Sequence, residues 1–286
     1  MDDIAESPQH LYRYRSLDGK FKEWAKDSIL NSMHYFSSPN AFNDPFDCRP
    51  VFKFDATKAD LIKYYEGVIS RQAPHMSREQ RRAEARAKVS DPNSDPRDPR
   101  NLGPFHQMYD EIVTSKIGVL CLSATPKDIL MWSHYANSHR GICLQFFAIG
   151  NAFESSQPVR YKAVRPVVNP VSQSHDEMLD HAIFTKSDHW EYEQEWRLIQ
   201  YKRGAGVYKT PPEALVGIIL GALIGEDDKR DVLEWVDSRD IPTKIFQARI
   251  STTKFELEID EVSRTEPSLR EDRGSPPTLR PGGPSS

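Results

Sequence analysis

The sequence predicts a mixed α+β fold with mainly antiparallel sheets and flanking helices. About eight segments have the alternation or apolar composition of strands, and five or six have the periodicity of helices. These segments follow one another in mixed order, whereas a doubly wound parallel sheet needs regular strand–helix alternation. A chain of 286 residues can bury one large core. We therefore expect a single α+β domain over residues 1–260.

The amino-terminal elements are expected in the order strand, helix, strand, turn, helix. Residues 11–16 alternate apolar and polar side chains as a half-buried strand does, and residues 21–30 carry aromatic and apolar side chains at helical spacing. Residues 34–37 predict a second strand, which ends before the turn-forming run Asn43-Asp44-Pro45. Residues 57–70 are amphipathic and predict a helix.

The next segment, residues 71–103, is dense in charge, proline, aspartate and asparagine. This composition predicts an insertion or flexible lid, in which the basic run 78–88 forms a solvated helical face rather than an arm that binds nucleic acid. At the other end of the chain, residues 261–286 lose their apolar content to proline, glycine, serine and charge. We expect this tail to be disordered.

The remaining elements have continuous apolar runs or clear periodicity. The expected helices are 105–116, 127–136, 176–187 and 228–236, and the expected strands are 117–123, 141–147, 158–161, 195–201, 216–220, 244–249 and 255–259. The run 117–123 is apolar throughout and is therefore the strongest candidate for a buried strand.

Composition limits the classes of partner. The chain has 38 lysines and arginines against 42 aspartates and glutamates, so no broad positive field favours an extended nucleic acid. Cys48, Cys121 and Cys143 are widely separated and suggest neither a disulfide framework nor a zinc clasp. The acidic amino terminus lacks a signal peptide, and no apolar run reaches the ~18 residues of a membrane span. We expect a cytoplasmic protein with no membrane partner and no metal.

Chemistry is expected in four clusters that combine aromatic with polar side chains. They are LYRYRS from Leu11, FNDPFD from Phe42 with the preceding strand, LMWSHYA from Leu130 and YEQEWR from Tyr192. The common phosphate-binding and zinc-protease motifs are absent from the sequence. Aromatic rings beside charged groups suit a planar or heterocyclic ligand.

Strand alternation gives the first and last clusters two interpretations each. Arg13 and Arg15 share one face of their strand, where they either protect an exposed edge or bind a pyrophosphate. Period two places Glu193, Glu195 and Arg197 on one face. Glu195 and Arg197 then form either a weak surface ion pair or a site in which Arg197 keeps Glu195 ionised.

The four clusters, in this order, resemble a widespread uncharacterised bacterial family that is known only as a domain of unknown function. A more distant resemblance is to ADP-ribosyltransferases, whose first strand carries arginine or histidine and whose late strand carries one glutamate. Arg13 matches the first position, Ser37 or Tyr35 the middle one, and Glu195 the last. Glu193 occupies the position that handles the acceptor in the Glu-x-Glu element of that superfamily.

The second resemblance implies an ADP-ribosyltransferase-like split β core and an NAD-consuming transferase or glycohydrolase, such as a bacterial toxin or antiphage effector. NAD is then the substrate, no metal takes part, and the acceptor is protein, nucleic acid or water. The implied catalytic residues are Glu195, at the ribose, and Glu193, at the nucleophile. The implied NAD-binding residues are Arg13, Arg15, Tyr35, Ser37, His134 and Tyr135, with Tyr35 stacked on nicotinamide.

Two other functions fit the same clusters. A non-catalytic module of a defence system, binding a small ligand or a partner, predicts that Glu195 is tied to Arg197 with no cavity beside it. A metal-independent nuclease using His134 and Tyr135 predicts an exposed imidazole and a basic groove. A lone histidine on a helix is more often a hydrogen-bonded structural residue.

Overall fold

A computed structural model describes residues 8–262 of the chain and confirms the α+β class. The helices are α1 (Lys20–Leu30), α2 (Lys58–Gln72), α3 (Arg78–Ser90), α4 (Gly103–Lys116), α5 (Ile129–Tyr135), α6 (His175–Ile183) and α7 (Glu226–Asp237). The strands are β1 (His10–Arg15), β2 (Met33–Phe36), β3 (Val51–Phe52), β4 (Ile117–Ser123), β5 (Ile142–Phe147), β6 (Gln157–Pro158), β7 (Arg160–Lys162), β8 (Val167–Val168), β9 (Thr185–Ser187), β10 (Glu195–Tyr201), β11 (Gly206–Lys209), β12 (Leu215–Leu220), β13 (Lys244–Ile250) and β14 (Leu257–Glu261).

Eight strands form one central sheet in the order β14-β13-β12-β5-β1-β4-β10-β6. Neighbouring strands are antiparallel except β12 and β13. These two are parallel, and their first paired residues are Gly217 and Lys244. Helix α7 makes the crossover between these two strands, as a parallel connection requires. The predicted mixed, mainly antiparallel sheet with flanking helices is confirmed.

The sheet opens between β1 and β4. Strand β1 pairs with β5 at six consecutive positions, but it pairs with β4 only where Tyr12 faces Ser123. Nearer the start of β4, the backbones of Val119 and Ser37 exchange two N–H to O=C hydrogen bonds, each 2.8 Å between N and O. The last residues of β1 therefore leave a gap beside β4, and the chain after β2 borders its far side.

Hydrophobic side chains cover both faces of the central sheet. On one face, Ile29 of α1 and Val232 of α7 pack against Leu11 and other strand residues. On the opposite face, Trp132 of α5 packs against Tyr14. Alternation along β1 therefore sends Arg13 and Arg15 toward the α1 side, the side of Leu11.

A separate helical layer contains α2, α3, α4 and α6. Its core is an apolar cluster that includes Phe52, Leu61, Val89, Tyr109 and Val113. Capping boxes start α2, α3 and α6. The hydroxyl of the residue just before each helix accepts from the backbone N–H three residues later, and the side chain of that later residue accepts from the backbone N–H of the first. The layer thus has a core of its own beside the sheet.

The predicted insertion, residues 71–103, contains a regular helix. Helix α3 starts at the capping box of Ser77 and Gln80, and buries Ala85 and Val89 against the layer. The expected solvated basic face is confirmed, since Arg82 and most of its basic neighbours are exposed. Two small apolar residues four apart were too weak a pattern to predict this packing from sequence.

Helix α6 is shorter than expected. It ends at Ile183, and the predicted helical residues 185–187 instead form β9, which pairs in parallel with β7. The short strands β3, β8 and β11 were not predicted either, because two to four residues give no measurable period. Most of the predicted tail, residues 263–286, lies outside the described residues. Within residues 8–262 no helix has the length and apolar character needed to cross a membrane.

Candidate functional site

A cavity of about 560 Å³ lies at the opening between β1 and β4. Residues from all four sequence clusters line it. Among them are the predicted site residues Arg13, Arg15, Ser37, His134, Tyr135, Glu193 and Glu195. Residues far apart in the chain, Arg13 and Glu195 above all, therefore border one cavity.

Tyr35 is the predicted site residue that does not line this cavity. On β2 its neighbours His34 and Phe36 are buried, so alternation turns Tyr35 outward. Its ring stacks on Trp24, with centroids 6.2 Å apart and planes at 20°. Only its backbone takes part, since its carbonyl accepts a 3.0 Å hydrogen bond from Nη2 of Arg13. The geometry therefore does not place Tyr35 for the expected stacking on nicotinamide.

One wall of the cavity carries positive charge without a counter-ion. Nη1 of Arg13 and Nε of Arg15 are buried and have no hydrogen-bond partner, and neither side chain has an ion pair within the described residues. Burial lowers the pKa of Arg15 to about 10. Burial, and then the charge of Arg15, lowers the pKa of Arg13. Because guanidinium groups stay protonated in proteins, this wall attracts an anion.

The cavity also borders two carboxylates joined by Lys186, on the face of the sheet that carries α5. The Nζ of Lys186 lies 2.5 Å from Oε2 of Glu193 and 3.1 Å from Oε2 of Glu195. Arg197 holds Glu195 through Nε at 2.8 Å and Nη2 at 2.9 Å. Arg197 also binds both oxygens of Asp47, at 3.0 and 2.6 Å. The predicted ion pair of Glu195 and Arg197 is thus present, but it is buried in a larger network.

The two glutamates reach this network by different local structures. Glu195 begins β10 as predicted, whereas Glu193 ends a 3-10 helix over Asp188–Glu193. Gln194 between them is left-handed, with φ 43° and ψ 51°. The expected alternation of Glu193 and Glu195 along one strand is therefore wrong. The reversal at Gln194, which period-two reasoning does not anticipate, brings both carboxylates to Lys186.

The pKa values of the two carboxyl groups are shifted in opposite directions. Burial alone would raise the pKa of Glu195, but the charges of Arg197 and Lys186 outweigh it and lower that pKa to about 2. For Glu193, burial raises the pKa, and the attraction of Lys186 does not cancel it. A pair of carboxyl groups with separated pKa values can divide the roles of ionised stabiliser and proton acceptor.

Two aromatic residues of α5 lie beside Glu193. The hydroxyl of Tyr135 donates to Oε1 of Glu193 at 2.8 Å, and Asn43 donates to the same hydroxyl at 3.4 Å. His134 is exposed at the rim, and its ring is 6.4 Å from that of Tyr192. Its side chain makes no hydrogen bond in the described part of the chain, so the interpretation as a hydrogen-bonded structural residue is not supported.

Sequence reasoning missed Lys186 and the ligating role of Asp47. Lys186 was assigned to a helix, and its location on β9 depends on pairing with β7, a long-range contact. Asp47 belongs to the FNDPFD cluster, but only a turn was expected there. That turn is present, because Oδ1 of Asp44 accepts from the N–H of Phe46 at 2.8 Å. The available signal was the position of Lys186 two residues after the apolar run 182–184, which indicates a lysine close to the core.

Comparison with known proteins bears on the family alone. Residues 131–198 match a family model described as "Protein of unknown function (DUF2971)". No curated protein and no solved structure matches the chain significantly. The matched segment includes Tyr135, Lys186, Glu193 and Glu195. The expected resemblance to an uncharacterised domain-of-unknown-function family is therefore confirmed, and residues 131–198 are the segment that carries it.

Proposed function

We propose that this protein is an NAD-consuming enzyme of the ADP-ribosyltransferase type, acting as a transferase or a glycohydrolase. The composition of one cavity carries the proposal: Arg13 and Arg15, which have no counter-ion within the described residues, border it together with Glu193 and Glu195. NAD carries the complementary charges, with an anionic diphosphate and a cationic nicotinamide ring. The cavity volume lies within the range of small-molecule sites.

The arginine wall suits the diphosphate. Unpaired buried N–H groups carry a desolvation cost that an anionic oxygen removes, and guanidinium groups bind phosphate through directed hydrogen bonds. Arg13 and Arg15 project from the same side of β1, so two guanidinium groups are available for two phosphates. Arg13 is also held in position by its bond to the carbonyl of Tyr35.

The two carboxylates suit cleavage of the nicotinamide–ribose bond. The bond between the anomeric carbon and nitrogen breaks with both electrons going to nicotinamide, which leaves neutral and needs no proton, unlike an ordinary glycoside's leaving group. Ionised Glu195 stabilises the oxocarbenium-like transition state. The nucleophile then forms its bond to the anomeric carbon, and its proton passes to Glu193.

The buried network supplies the net negative charge that this chemistry needs. Asp47, Glu193 and Glu195 are three carboxylates, and Lys186 and Arg197 are their two cations. With all groups ionised, one negative charge remains to face a cationic transition state. The cavity that the exposed imidazole of His134 borders contains Glu193 and Glu195 as well as cations, so the nuclease alternative, which predicts a basic groove, receives less support than the NAD hypothesis.

The test is nicotinamide release from NAD by the purified protein, with and without a mixed cell extract as a source of acceptors. We expect release that Glu195→Gln reduces by about a hundredfold or more. Glu191→Gln, an exposed carboxylate of the neighbouring 3-10 helix, is the matched control and should retain wild-type release. Background-level release in wild type and Glu195→Gln alike would overturn the proposal.

One observation favours a second candidate, a binding module without catalysis. Both oxygens of Glu195 already accept hydrogen bonds from Arg197 and Lys186, and the residue is only 4% exposed. A module of this kind would bind NAD without releasing nicotinamide. Calorimetric titration with NAD beside the release assay separates the two candidates. As an enzyme, the protein would act in the cytoplasm as a toxin or antiphage effector on protein, nucleic acid or water.

A further inference from the structure

A second cavity, of about 430 Å³, lies in the helical layer. Residues of α2, α3 and α4, with the first residue of α6, line it, and none of them lines the cavity between β1 and β4. The residues that the following argument uses are Tyr64, Tyr65, Arg71, Lys88, Phe105 and His175. Neither the sequence motifs nor the proposed NAD chemistry uses this cavity.

Aromatic rings form much of its wall. The rings of Tyr64 and Tyr65 are 5.4 Å apart at an angle of 68°. Phe105 is fixed from behind by Phe54, at 4.5 Å between ring centroids. Burial raises the pKa of Tyr65 to about 12, so its phenol is neutral at physiological pH. Rigid, uncharged rings of this kind offer stacking surfaces to a planar ligand.

The charged groups that line the cavity all have the same sign. Arg71 comes from α2 and Lys88 from α3, and neither has an ion pair within residues 8–262. No aspartate or glutamate is among the lining residues. His175, the first residue of α6, completes the lining. Arg71 and Lys88 thus border the cavity without a counter-ion, and a bound anion supplies one.

We propose that this cavity is a second ligand site, for a small molecule that combines an aromatic ring with an anionic group, as a mononucleotide does. The ring lies against Tyr64, Tyr65 and Phe105, and the anion is held between Arg71 and Lys88. The site is independent of the proposed NAD reaction, and either hypothesis can fail without the other.

The test is calorimetric titration of the full chain with AMP, adenosine and inorganic phosphate. We expect AMP to bind and each of the other two to bind at least roughly tenfold more weakly, because each lacks one of the two recognised features. Phosphate binding as tight as AMP binding, or the absence of AMP binding at millimolar concentration, would overturn the proposal.

Matched variants locate the bound AMP. Arg71→Gln and Lys88→Gln should each weaken AMP binding by roughly tenfold, whereas Arg86→Gln, an exposed residue of α3 outside the cavity, should leave it unchanged. Arg71 and Lys88 are both exposed, so thermal unfolding should show that every variant folds. Binding that survives Arg71→Gln but disappears in Arg13→Gln would place AMP in the other cavity and refute this assignment.

Discussion

At the scale of single residues, Lys186 determines how the candidate site can work. It lies between Glu193 and Glu195, and without its charge three carboxylates would face Arg197 alone. Because burial would otherwise favour protonation, Lys186 is what allows both glutamates to be ionised together. Glu193 remains the more easily protonated of the two, so its protonation state is the one that activity should follow.

Tyr135→Phe should move the acid limb of activity to higher pH. The Tyr135 hydroxyl donates to Glu193 and lowers its pKa, so its loss raises that pKa further. A proton acceptor works only when deprotonated, and activity must then rise at a higher pH, by roughly half to one pH unit. The measurement is kcat/KM for nicotinamide release across pH 4–8, with roughly one tenfold change per unit on the limb.

Tyr192→Phe is the control for this experiment. Tyr192 is a half-buried neighbour in the same 3-10 helix as Glu193, and it makes no hydrogen bond to either glutamate within the described residues. The hydrogen bond from Tyr135 to Glu193 is supported if Tyr135→Phe moves the acid limb of the pH profile and Tyr192→Phe does not. A limb that stays at its wild-type pH in Tyr135→Phe would exclude Glu193 as the titrating group.

The same scale shows what sequence can and cannot predict about the site. Alternation along β1 was enough to place Arg13 and Arg15 on one face, because a strand's period is independent of its partners. Tyr35 stacks on Trp24 and does not line the cavity, and alternation alone gives no sign of this tertiary contact. Asp47 and Lys186 became recognisable only when Arg197 and the two glutamates were seen to meet them.

At the scale of secondary structure, prediction succeeded where burial leaves a continuous pattern. The bounds of β4 and β10 agree with those predicted, since both strands are buried and apolar over most of their length. Strand β9 was predicted as helix, because its three residues become a strand only through pairing with β7. The 3-10 helix before β10 was missed for the related reason that Gln194 gives no local sign of its left-handed backbone.

Close packing of β4 against the loop after β10 leads to a prediction about two glycines. A Cβ at Gly118 of β4 would lie 2.4 Å from the carbonyl oxygen of Gly204, whereas a Cβ at Gly67, inside α2, would meet only Nη1 of Arg71, at 3.9 Å. Gly118→Ala should therefore lower the free energy of unfolding by about 1–3 kcal/mol. Gly67→Ala should raise it by up to about 1 kcal/mol, because alanine loses less backbone entropy in a helix.

Urea denaturation of both variants measures the two effects under one condition. The opposite signs are the informative result, since any general effect of replacing glycine by alanine is common to the pair. Equal stability of Gly118→Ala and wild type would mean that the loop carrying Gly204 moves away at no cost. The border of the cavity that β4 provides would then be less rigid than the close approach implies.

At the scale of the whole molecule, the cavity between β1 and β4 contains positive charge that the net charge of the chain does not predict. The net charge is −4, yet the wall formed by Arg13 and Arg15 has no counter-ion within the described chain. Groups that are desolvated without partners lower stability, and such costs are typically retained at sites that a ligand completes. Composition excluded a broad basic surface but gave no information about this local field, which arises from the opening between β1 and β4.

Arg15→Gln should therefore make the free protein more stable and its complex weaker. Replacing a half-buried guanidinium, whose buried Nε has no hydrogen-bond partner, by a neutral amide should raise the free energy of unfolding by about 1 kcal/mol. Loss of a charge-assisted contact to the diphosphate should weaken NAD binding by roughly tenfold to a hundredfold. Urea denaturation without ligand and calorimetric titration with NAD measure the two quantities separately.

Arg239→Gln is the reference variant, because it should lower stability without changing NAD affinity. Arg239 donates to the backbone carbonyls of Ile29 and Pro212, far from the cavity lining. Its removal should destabilise the fold, because those carbonyls lose their partner, and should leave NAD affinity unchanged. If Arg15→Gln behaved in the same way, the cation would be a structural group and the anion-binding wall would lose its main support. If it stabilised the protein and weakened NAD binding, the unneutralised charge would be explained by the ligand it holds.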